Sequence, residues 1–483
     1  MRNSGLILAA TILASSLAFI DGTIVIVALP TIQEDFGAGF DAAQWVVNGY
    51  ALMLAALVVV TGGLGDRYGR RRMFVAGIIA FTAASIACAL APSIEVLIAA
   101  RGIQGIGAAL LVPQSLAIIS ASFPRERRGR AIGTWAAASG ATTAFGPPLG
   151  GFLVDAIDWR AAFWINVPLA AVALWLTFRA VPESRDPDAR GGIDWIGAVL
   201  ALVGFGLLAA GLTAFSRGIM QVGVFAWTAI VGGILALVTF ALVERRVANP
   251  LVPPALFRSR TFTGANLLTV FLYGCLAATL FLLPYELNVR RGLRADETGL
   301  ALMPFGVIVA VGSRFTGGLS DRYGQRLFLV LGSALVAVAC AWFAIAFDNF
   351  WLGVMAPLVL LSVGMTVVIS PLTTAVMNAV PETRAGAASS VNNAAARVGG
   401  LLAVAAVGAL AGMIYIAVTD DPLARFGILP DGEAARAIAG NGFLVAYRSA
   451  MWFAAGWAAL AAIAAAIFLR ERGDSRSANS AAA

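Results

Sequence analysis

The chain has 483 residues, of which 60% are hydrophobic and only 12% are charged. About a quarter of the residues of a typical soluble domain are charged, so this composition excludes an ordinary water-soluble protein. The net charge is +7, all basic residues are arginines and there is no histidine. The arginines lie in short loops between apolar runs, which indicates signals for membrane topology and no nucleic-acid partner. Proton chemistry would have to use carboxyl groups.

Fourteen apolar runs are long enough to cross a bilayer, which needs about 20 residues. The first run extends past Asp21 to Pro30, which is too long for a cleaved secretory signal. We predict an all-α integral membrane protein with two six-helix bundles and two linker transmembrane helices. The predicted spans are 5–29, 44–64, 73–91, 94–118, 130–154, 160–180, 193–213, 222–243, 262–287, 298–319, 327–346, 350–377, 387–415 and 443–469.

Polar and proline-rich segments divide the chain between these spans. The stretch 181–192 is rich in turn residues, and 244–261 contains an Asn-Pro and a Pro-Pro pair. The external loop 416–442 is either a lid or a solvated connection. We predict an N-terminal bundle, a linker region, a C-terminal bundle and a cytoplasmic tail at 1–181, 182–261, 262–470 and 471–483.

The arginine distribution predicts the orientation. With a cytoplasmic N-terminus, most arginines fall on the cytoplasmic side, so both termini are expected there. Arg290, Arg291 and Arg294 lie on an external loop and are an exception, either functional or simply tolerated. Abundant alanine and arginine fit a bacterial protein, and we expect it in the bacterial inner (cytoplasmic) membrane.

A ten-residue motif occurs twice, as GGLGDRYGRR at 62–71 and as GGLSDRYGQR at 317–326. Each copy joins two predicted helices at the cytoplasmic face, which indicates related bundles that rock about a central site. Its glycines allow close packing and a tight turn. Its charges would form a latch that holds one of two states, or they are a plain topology signal. The residues of this predicted cytoplasmic gate are Gly62, Asp66, Arg67, Gly69, Arg70, Arg71, Asp321 and Arg322.

Two acids lie within apolar spans. Asp21 is deep in the first span, where an acid is costly unless it faces a cavity or a partner. We interpret it as a functional site that exchanges a proton for a cation, with a structural hydrogen bond as the alternative. Glu286 lies toward the outer end of its span. It is either a second proton or cation site or an acid that reaches the interface.

Three arginines also lie within spans. A buried arginine costs roughly 2.5–3.5 kcal/mol on insertion scales, so it should have a partner. Asp21 is one candidate partner of Arg101, and Arg397 is predicted to be a second buried charge. Arg314 is close enough to a cytoplasmic end to reach the headgroups.

The segment GPPLGG at 146–151 places two prolines among glycines in a span. Proline removes a backbone hydrogen bond, and glycine lets neighbouring helices approach. The segment is a hinge, an ion-tight seal or a packing kink. The residues concerned are Gly146, Pro147, Pro148, Gly150 and Gly151.

Together these motifs resemble the major facilitator superfamily, and within it the fourteen-helix drug:proton antiporter branch. The resemblance implies proton coupling by Asp21, proton transfer by Arg101, and a gate containing Asp66 and Arg70. It also implies that GPPLGG imposes the direction of antiport. Glu286 stands where the branch more often has a neutral residue, and Gln325 replaces the equivalent of Arg70. The matching segments are DGTIVIVALP (21–30), GGLGDRYGRRR (62–72), RGIQGIGAALLVPQS (101–115), GPPLGG (146–151), WRAAFWINVP (159–168) and NNAAARVGG (392–400).

The sequence therefore predicts a monomeric antiporter that exports small amphipathic, cationic compounds in exchange for protons by alternating access. We expect the proton-motive force to drive it without a cofactor, and we expect no enzyme activity. The alternatives are an exporter dedicated to one lipid, siderophore or secondary metabolite, a nutrient importer, and a non-transporting receptor or assembly factor. A phosphate-binding G-x-x-x-x-G-K-[ST] motif is absent from the sequence, so an ATP-driven pump is not expected.

Overall fold

The computed structural model describes residues 4–185, 192–381, 384–421, 424–430 and 432–469, and the predicted tail 471–483 lies outside them. Fourteen long helices account for most of the described chain. They are α1 Ser4–Asp35, α2 Phe40–Tyr68, α3 Arg70–Ala89, α4 Ile94–Ser122, α5 Arg125–Ala156, α6 Ala161–Ala180, α7 Trp195–Ala214, α8 Ile219–Glu244, α9 Arg260–Tyr285, α10 Ala295–Tyr323, α11 Gln325–Ile345, α12 Ala356–Asn378, α13 Ala385–Thr419 and α14 Glu433–Phe468.

Thirteen of these described helices are long and apolar enough to cross a membrane. The remaining helix, α5, has 32 residues, but glycine, proline, serine and threonine lower its hydropathy. It packs between α1 and α10, so protein surrounds much of its polar surface. The predicted all-α membrane fold is confirmed, and the predicted span count agrees with the structure to within one helix.

Helices α1–α6 pack together as one bundle, and α9–α14 pack together as a second. The two most extensive contacts between the bundles are those of α5 with α10 and of α2 with α13. In each contact the second helix of one bundle meets the fifth helix of the other. This equivalence is expected of two related halves arranged around a shared central site.

The linker helices α7 and α8 pack against each other, and α7 also packs on both α2 and α13. The contact is apolar and contains Leu52 of α2, Ala209 of α7 and Leu401 of α13. At one end, Arg217, which follows α7, forms an ion pair with Asp41 near the start of α2. The linker therefore touches both bundles but has a charged attachment to the first one.

The two bundles meet closely at the end opposite the DRYG hairpins, which is the outer end in the predicted orientation. Phe426, on the loop between α13 and α14, is buried there against the rings of Phe40 and Tyr285. Gln33 Nε2 donates to the Phe426 carbonyl at 2.9 Å, and the Tyr285 hydroxyl donates to Gln33 Oε1 at 2.9 Å. This part of the loop therefore packs over that end of both bundles.

The hairpin ends of the bundles, which are cytoplasmic in the predicted orientation, are less closely packed. Gly63 and Gly318 occupy the same position in the two hairpins, and an added Cβ at either would meet no atom within 4 Å outside its own helix. The structure is therefore closed at one end and more open at the hairpin end, which corresponds to an inward-facing state in the predicted orientation.

Candidate functional site

Asp21 and Arg101 form an ion pair at the centre of the first bundle. Arg101 Nη1 donates to Asp21 Oδ2, and the two side chains are 2% and 0% exposed. Asp21 comes from α1 and Arg101 from α4, which pack directly against each other. The contact that the sequence left open between these two residues is therefore present.

Amides complete the coordination of the Asp21 carboxylate. Gln104 Nε2 donates to Asp21 Oδ1 at 2.7 Å, and Asn166 Nδ2 approaches the same oxygen at 3.3 Å. Asn166 Nδ2 also donates to Ser85 Oγ at 2.9 Å. Gln104 lies one turn after Arg101 on α4, so both face α1. Each carboxylate oxygen therefore has a donor, which offsets the cost of burying the charge.

Arg101 has further partners of its own. Its Nε donates to the Val46 carbonyl at 3.0 Å, and Nη1 donates to Gln104 Oε1 at 2.6 Å. Its guanidinium lies 4.4 Å from the centre of the Tyr50 ring, a distance at which a cation and an aromatic face attract. Because Tyr50 also lines the cavity between the bundles, Arg101 links the buried acid to that cavity.

A cavity of about 420 Å³ lies between the two bundles, next to this ion pair. Its volume is in the range of small-molecule sites. Four aromatic side chains form part of its wall, two from each bundle, and the rest of the wall is mainly aliphatic. The aromatic residues are Phe19, Tyr50, Tyr273 and Phe281.

Arg397 lies on the wall of this cavity, on the α13 side. It is exposed, so the prediction of a second buried charge is wrong. The side chain lies in the gap between the bundles and not inside its own bundle. It is therefore accessible even though the second bundle is well packed. Arg314 is also exposed, near the cytoplasmic end of α10.

Glu286 is not among the residues that line this cavity. It is 1% exposed and pairs with Arg290 at 2.6 Å and with Arg291 at 3.2 Å. These two arginines also bind the α11–α12 loop, where Arg290 Nη2 donates to the Ala346 carbonyl and Arg291 Nη2 to the Phe347 carbonyl. The structure thus places Glu286 in a charge cluster that joins α9 to that loop. Two of the three arginines noted as exceptions to the topology rule, Arg290 and Arg291, are its partners.

The first hairpin is a compact turn between the C-terminal end of α2 and the start of α3. Gly69 has φ of 114°, which a side chain would strain. Arg70 Nη2 contacts Asp66 Oδ1 at 2.7 Å within the hairpin. The Glu183 carboxylate accepts the backbone N–H groups of Arg71 and Arg72 at 3.1 and 3.2 Å. An acid at the start of α3 is favourable because helix N-termini carry unpaired N–H groups.

The second hairpin has the same backbone shape. Gly324 has φ of 93°, and Arg322 lies over the Tyr323 ring at 5.4 Å. Arg326 Nη2 donates to the Ala466 carbonyl of α14 at 2.6 Å. The side chain of Asp321 lies outside the part of the chain that the structure describes.

The GPPLGG segment lies where α5 crosses α1 and α10. A Cβ added to Gly146 would lie 1.9 Å from Thr23 Oγ1 of α1, and one added to Gly151 would lie 2.1 Å from the Ala295 carbonyl of α10. From the other side, a Cβ on Gly299 of α10 would lie 2.2 Å from the Pro147 carbonyl. The segment therefore packs closely on the backbone of α10 and on the Thr23 side chain of α1.

Replacing Gly151 with alanine should open this seam, because the new methyl group would overlap the Ala295 carbonyl. We expect at least a tenfold loss of transport and faster labelling of an introduced Thr23→Cys by a membrane-impermeant maleimide. The three native cysteines are buried and should not react.

Gly140→Ala on the same helix is the matched control, since its Cβ would meet nothing within 4 Å outside that helix. Equal labelling in the two variants would show that the seam does not depend on the glycine.

The sequence matches the family model described as "Major Facilitator Superfamily" over residues 11–404. The chain belongs to this superfamily. It is 39% identical over 417 residues to "Multidrug resistance protein Stp" of Mycobacterium tuberculosis, covering 85% of this chain and 76% of that one. It is 34% identical over 405 residues to "Drug efflux pump JefA" of the same species, covering 83% and 80%.

The fold of this major facilitator protein also matches solved structures. One is a bacterial homolog of the human lysosomal transporter Spinster in an inward-facing, occupied conformation, with a TM-score of 0.70. The match covers 97% of this chain and 98% of that chain at 18% identity. At this identity the likeness shows the fold alone. Family and fold show a transporter of the major facilitator type with many membrane-spanning helices.

Several residues of this major facilitator site were not singled out from the sequence. Gln104 and Asn166 share the Asp21 carboxylate, and Asn48 and Tyr273 line the cavity. An uncharged amide inside an apolar span was the available signal for Gln104, Asn166 and Asn48. Tyr273 carried no such signal, because aromatic residues are common in membrane helices.

Proposed function

We propose that this chain is a proton-coupled exporter of small amphipathic compounds that works by alternating access in the bacterial cytoplasmic membrane. The fully buried Asp21–Arg101 pair beside a cavity between two bundles is the observation that carries the proposal. Relatives named for multidrug resistance and drug efflux support export as the direction. Both termini face the cytoplasm in this proposal, and a single chain contains the complete site.

In the inward-facing state Asp21 is ionised and held by Arg101, Gln104 and Asn166. When the outer side opens, a proton reaching the Asp21 carboxylate removes its charge and weakens the contact with Arg101. Return to the inward state restores the ion pair and releases the proton to the cytoplasm. The proton-motive force thus acts on one titratable carboxyl group that the fold keeps away from water.

The cytoplasmic hairpins act as the gate. In this inward-facing state the Asp66 carboxylate is paired with Arg70 of its own hairpin. In the outward-facing state the hairpins approach the opposite bundle, where Asp66, Arg67, Arg70 and Arg71 can form new contacts. Two alternative sets of contacts at one surface are what a two-state gate needs.

Glu286 has a structural role in this proposal. Its carboxylate is held by two arginines that also bind the α11–α12 loop, so its charge maintains the outer end of the second bundle. Proton exchange therefore involves one carboxyl group, Asp21, in each cycle.

The test uses purified full-length protein in proteoliposomes that carry a pH gradient and a pH-sensitive dye. A panel of amphipathic compounds with positive, negative and no charge is added in turn. We expect several compounds to discharge the gradient faster than in protein-free liposomes, whereas an exporter dedicated to one compound would respond to a single chemical type. If no compound caused discharge while a protonophore still did, a non-transporting receptor would be the better description.

A further inference from the structure

Arg397 is the accessible charge of the central cavity. It is exposed on the α13 wall, and no hydrogen bond or ion pair joins it to another residue in the described part of the chain. Asn393 lies one helical turn earlier on the same wall and is also exposed. An exposed arginine without a protein partner on the wall of a largely apolar cavity is available to pair with a ligand that supplies a negative charge.

The acid that a cationic ligand would need is not on this wall. Asp21 is fully buried, and both of its oxygens already accept hydrogen bonds from Arg101, Gln104 and Asn166. Among the described residues that line the cavity, none is acidic. A cation entering the cavity would therefore face Arg397 without a carboxylate to offset the repulsion.

A second polar group on the cavity wall has no partner in this state. Asn48 of α2 lines the cavity from the first bundle, and its amide nitrogen and oxygen have no hydrogen-bond partner among the described atoms. Asn48 is fully buried, so an oxygen of a ligand is a natural partner for its N–H group. Donors thus approach the cavity from both bundles.

We infer that the cavity takes an amphipathic anion whose carboxylate, sulfonate or phosphate group pairs with Arg397 and whose apolar body packs on the aromatic wall. Guanidinium groups bind such oxyanions through two parallel hydrogen bonds, which lysine cannot reproduce with the same geometry. This inference rests on the proposed export function and names its substrate class. It also replaces the expectation of a cationic substrate.

The same chemistry is present in two sources, a soluble organic anion and an anionic lipid. A cavity of about 420 Å³ suits a drug-sized molecule, and we commit to the soluble anion. Lyso-phosphatidylglycerol serves as the lipid probe, and tighter binding of this lipid than of a soluble anion would overturn that choice.

Binding is measured first, with three probes that share one aromatic body and differ in charge. Naphthalene-2-sulfonate, 2-naphthalenemethanol and 2-naphthylmethylammonium are titrated into the purified full-length protein by calorimetry. We expect the sulfonate to bind at least tenfold more tightly than the ammonium, with the neutral alcohol in between. Equal or tighter binding of the ammonium would overturn the inference.

Arg397 variants then test the residue. Arg397→Gln should weaken sulfonate binding at least tenfold and change alcohol binding less than twofold, and Arg397→Lys should recover part of the loss. Arg246→Gln removes an exposed arginine at the end of α8, outside the cavity lining, and is the matched control. A loss of alcohol binding in Arg397→Gln equal to the loss of sulfonate binding would assign Arg397 a structural role instead.

The proton assay separates this inference from the proposed function. If the ammonium probe discharged the pH gradient and the sulfonate did not, proton-coupled export would be supported and the anionic substrate class would be contradicted. If the sulfonate bound through Arg397 but no probe moved protons, the anion site would be supported and proton-coupled export would be contradicted.

Discussion

Asp21→Asn should abolish substrate-driven proton flux in proteoliposomes, at least a hundredfold, while substrate counterflow in the absence of a gradient continues. Asparagine has nearly the same shape as aspartate, and its one amide oxygen can still accept from either Gln104 or Arg101, but it cannot exchange a proton. Arg101 also keeps its contacts with the Val46 carbonyl and the Tyr50 ring, which limit the damage to folding. The measurement is dye-reported discharge of a pH gradient, with radiolabelled counterflow in the same vesicles.

Asp158→Asn is the control for this result, because it also removes one carboxylate but at the exposed outer end of the first bundle. Its proton flux should match that of the unaltered protein. If Asp21→Asn kept normal substrate-driven flux, proton exchange would have to be assigned to another carboxyl group, and the central pair would be purely structural.

Arg101→Gln should have the largest effect on stability. It leaves the Asp21 charge buried without its ionic partner, a situation that costs about 3–5 kcal/mol in proteins. Thermal unfolding in detergent measures this loss of stability.

A double-mutant cycle shows whether the loss of stability comes from the interaction between Asp21 and Arg101. Asp21→Asn combined with Arg101→Gln should be more stable than Arg101→Gln alone, because neither charge then remains unpaired in the interior. Strictly additive losses in the double variant would mean that each residue acts through its other contacts.

An anionic substrate changes the energetics of export. Exchange of one inward proton for one outward monovalent cation moves no net charge, whereas exchange for an outward anion moves two positive charges inward. A potential of about 100 mV is worth about 2.3 kcal/mol per charge. The free energy of moving two charges supports a ratio of outside to inside substrate on the order of 10³, because about 1.4 kcal/mol corresponds to a tenfold change in an equilibrium ratio. Membrane voltage would drive the export of an anion and would leave the export of a cation unaffected.

The sequence was sufficient for the features that depend on length, composition and strong local signals. The spans, the two hairpins with positive φ at Gly69 and Gly324, and the close contacts of GPPLGG all follow from local residue types. Asp21 and Arg101 could be paired as candidates because buried charges in a membrane need partners. These signals are strong because few polar residues are present in the spans.

The sequence alone could not show which side of each helix faces lipid and which side faces protein. Lipid and protein interior are both apolar, so a membrane helix lacks the polar stripe that marks the outer face of a soluble helix. Arg397 was therefore assigned to the interior of its bundle, although it faces the cavity. Glu286 was judged by its depth alone, and its pairing with Arg290 and Arg291 depends on how the loop after α9 folds back.

The linker helices impose a mechanical condition on alternation. Helix α7 lies across α2 and α13, which belong to different bundles and must separate and approach in each cycle. Its only charged attachment among the described residues, Arg217 to Asp41, is to the first bundle, and its contact with Leu401 and Ala405 is made of apolar side chains. The turn after α7 also packs closely on α13, where a Cβ on Gly412 would lie 2.4 Å from the Ser216 carbonyl. When the two bundles move apart, the hairpin of α7 and α8 must therefore slide over α13 or lose its ion pair with α2. Either movement couples the linker helices to alternation.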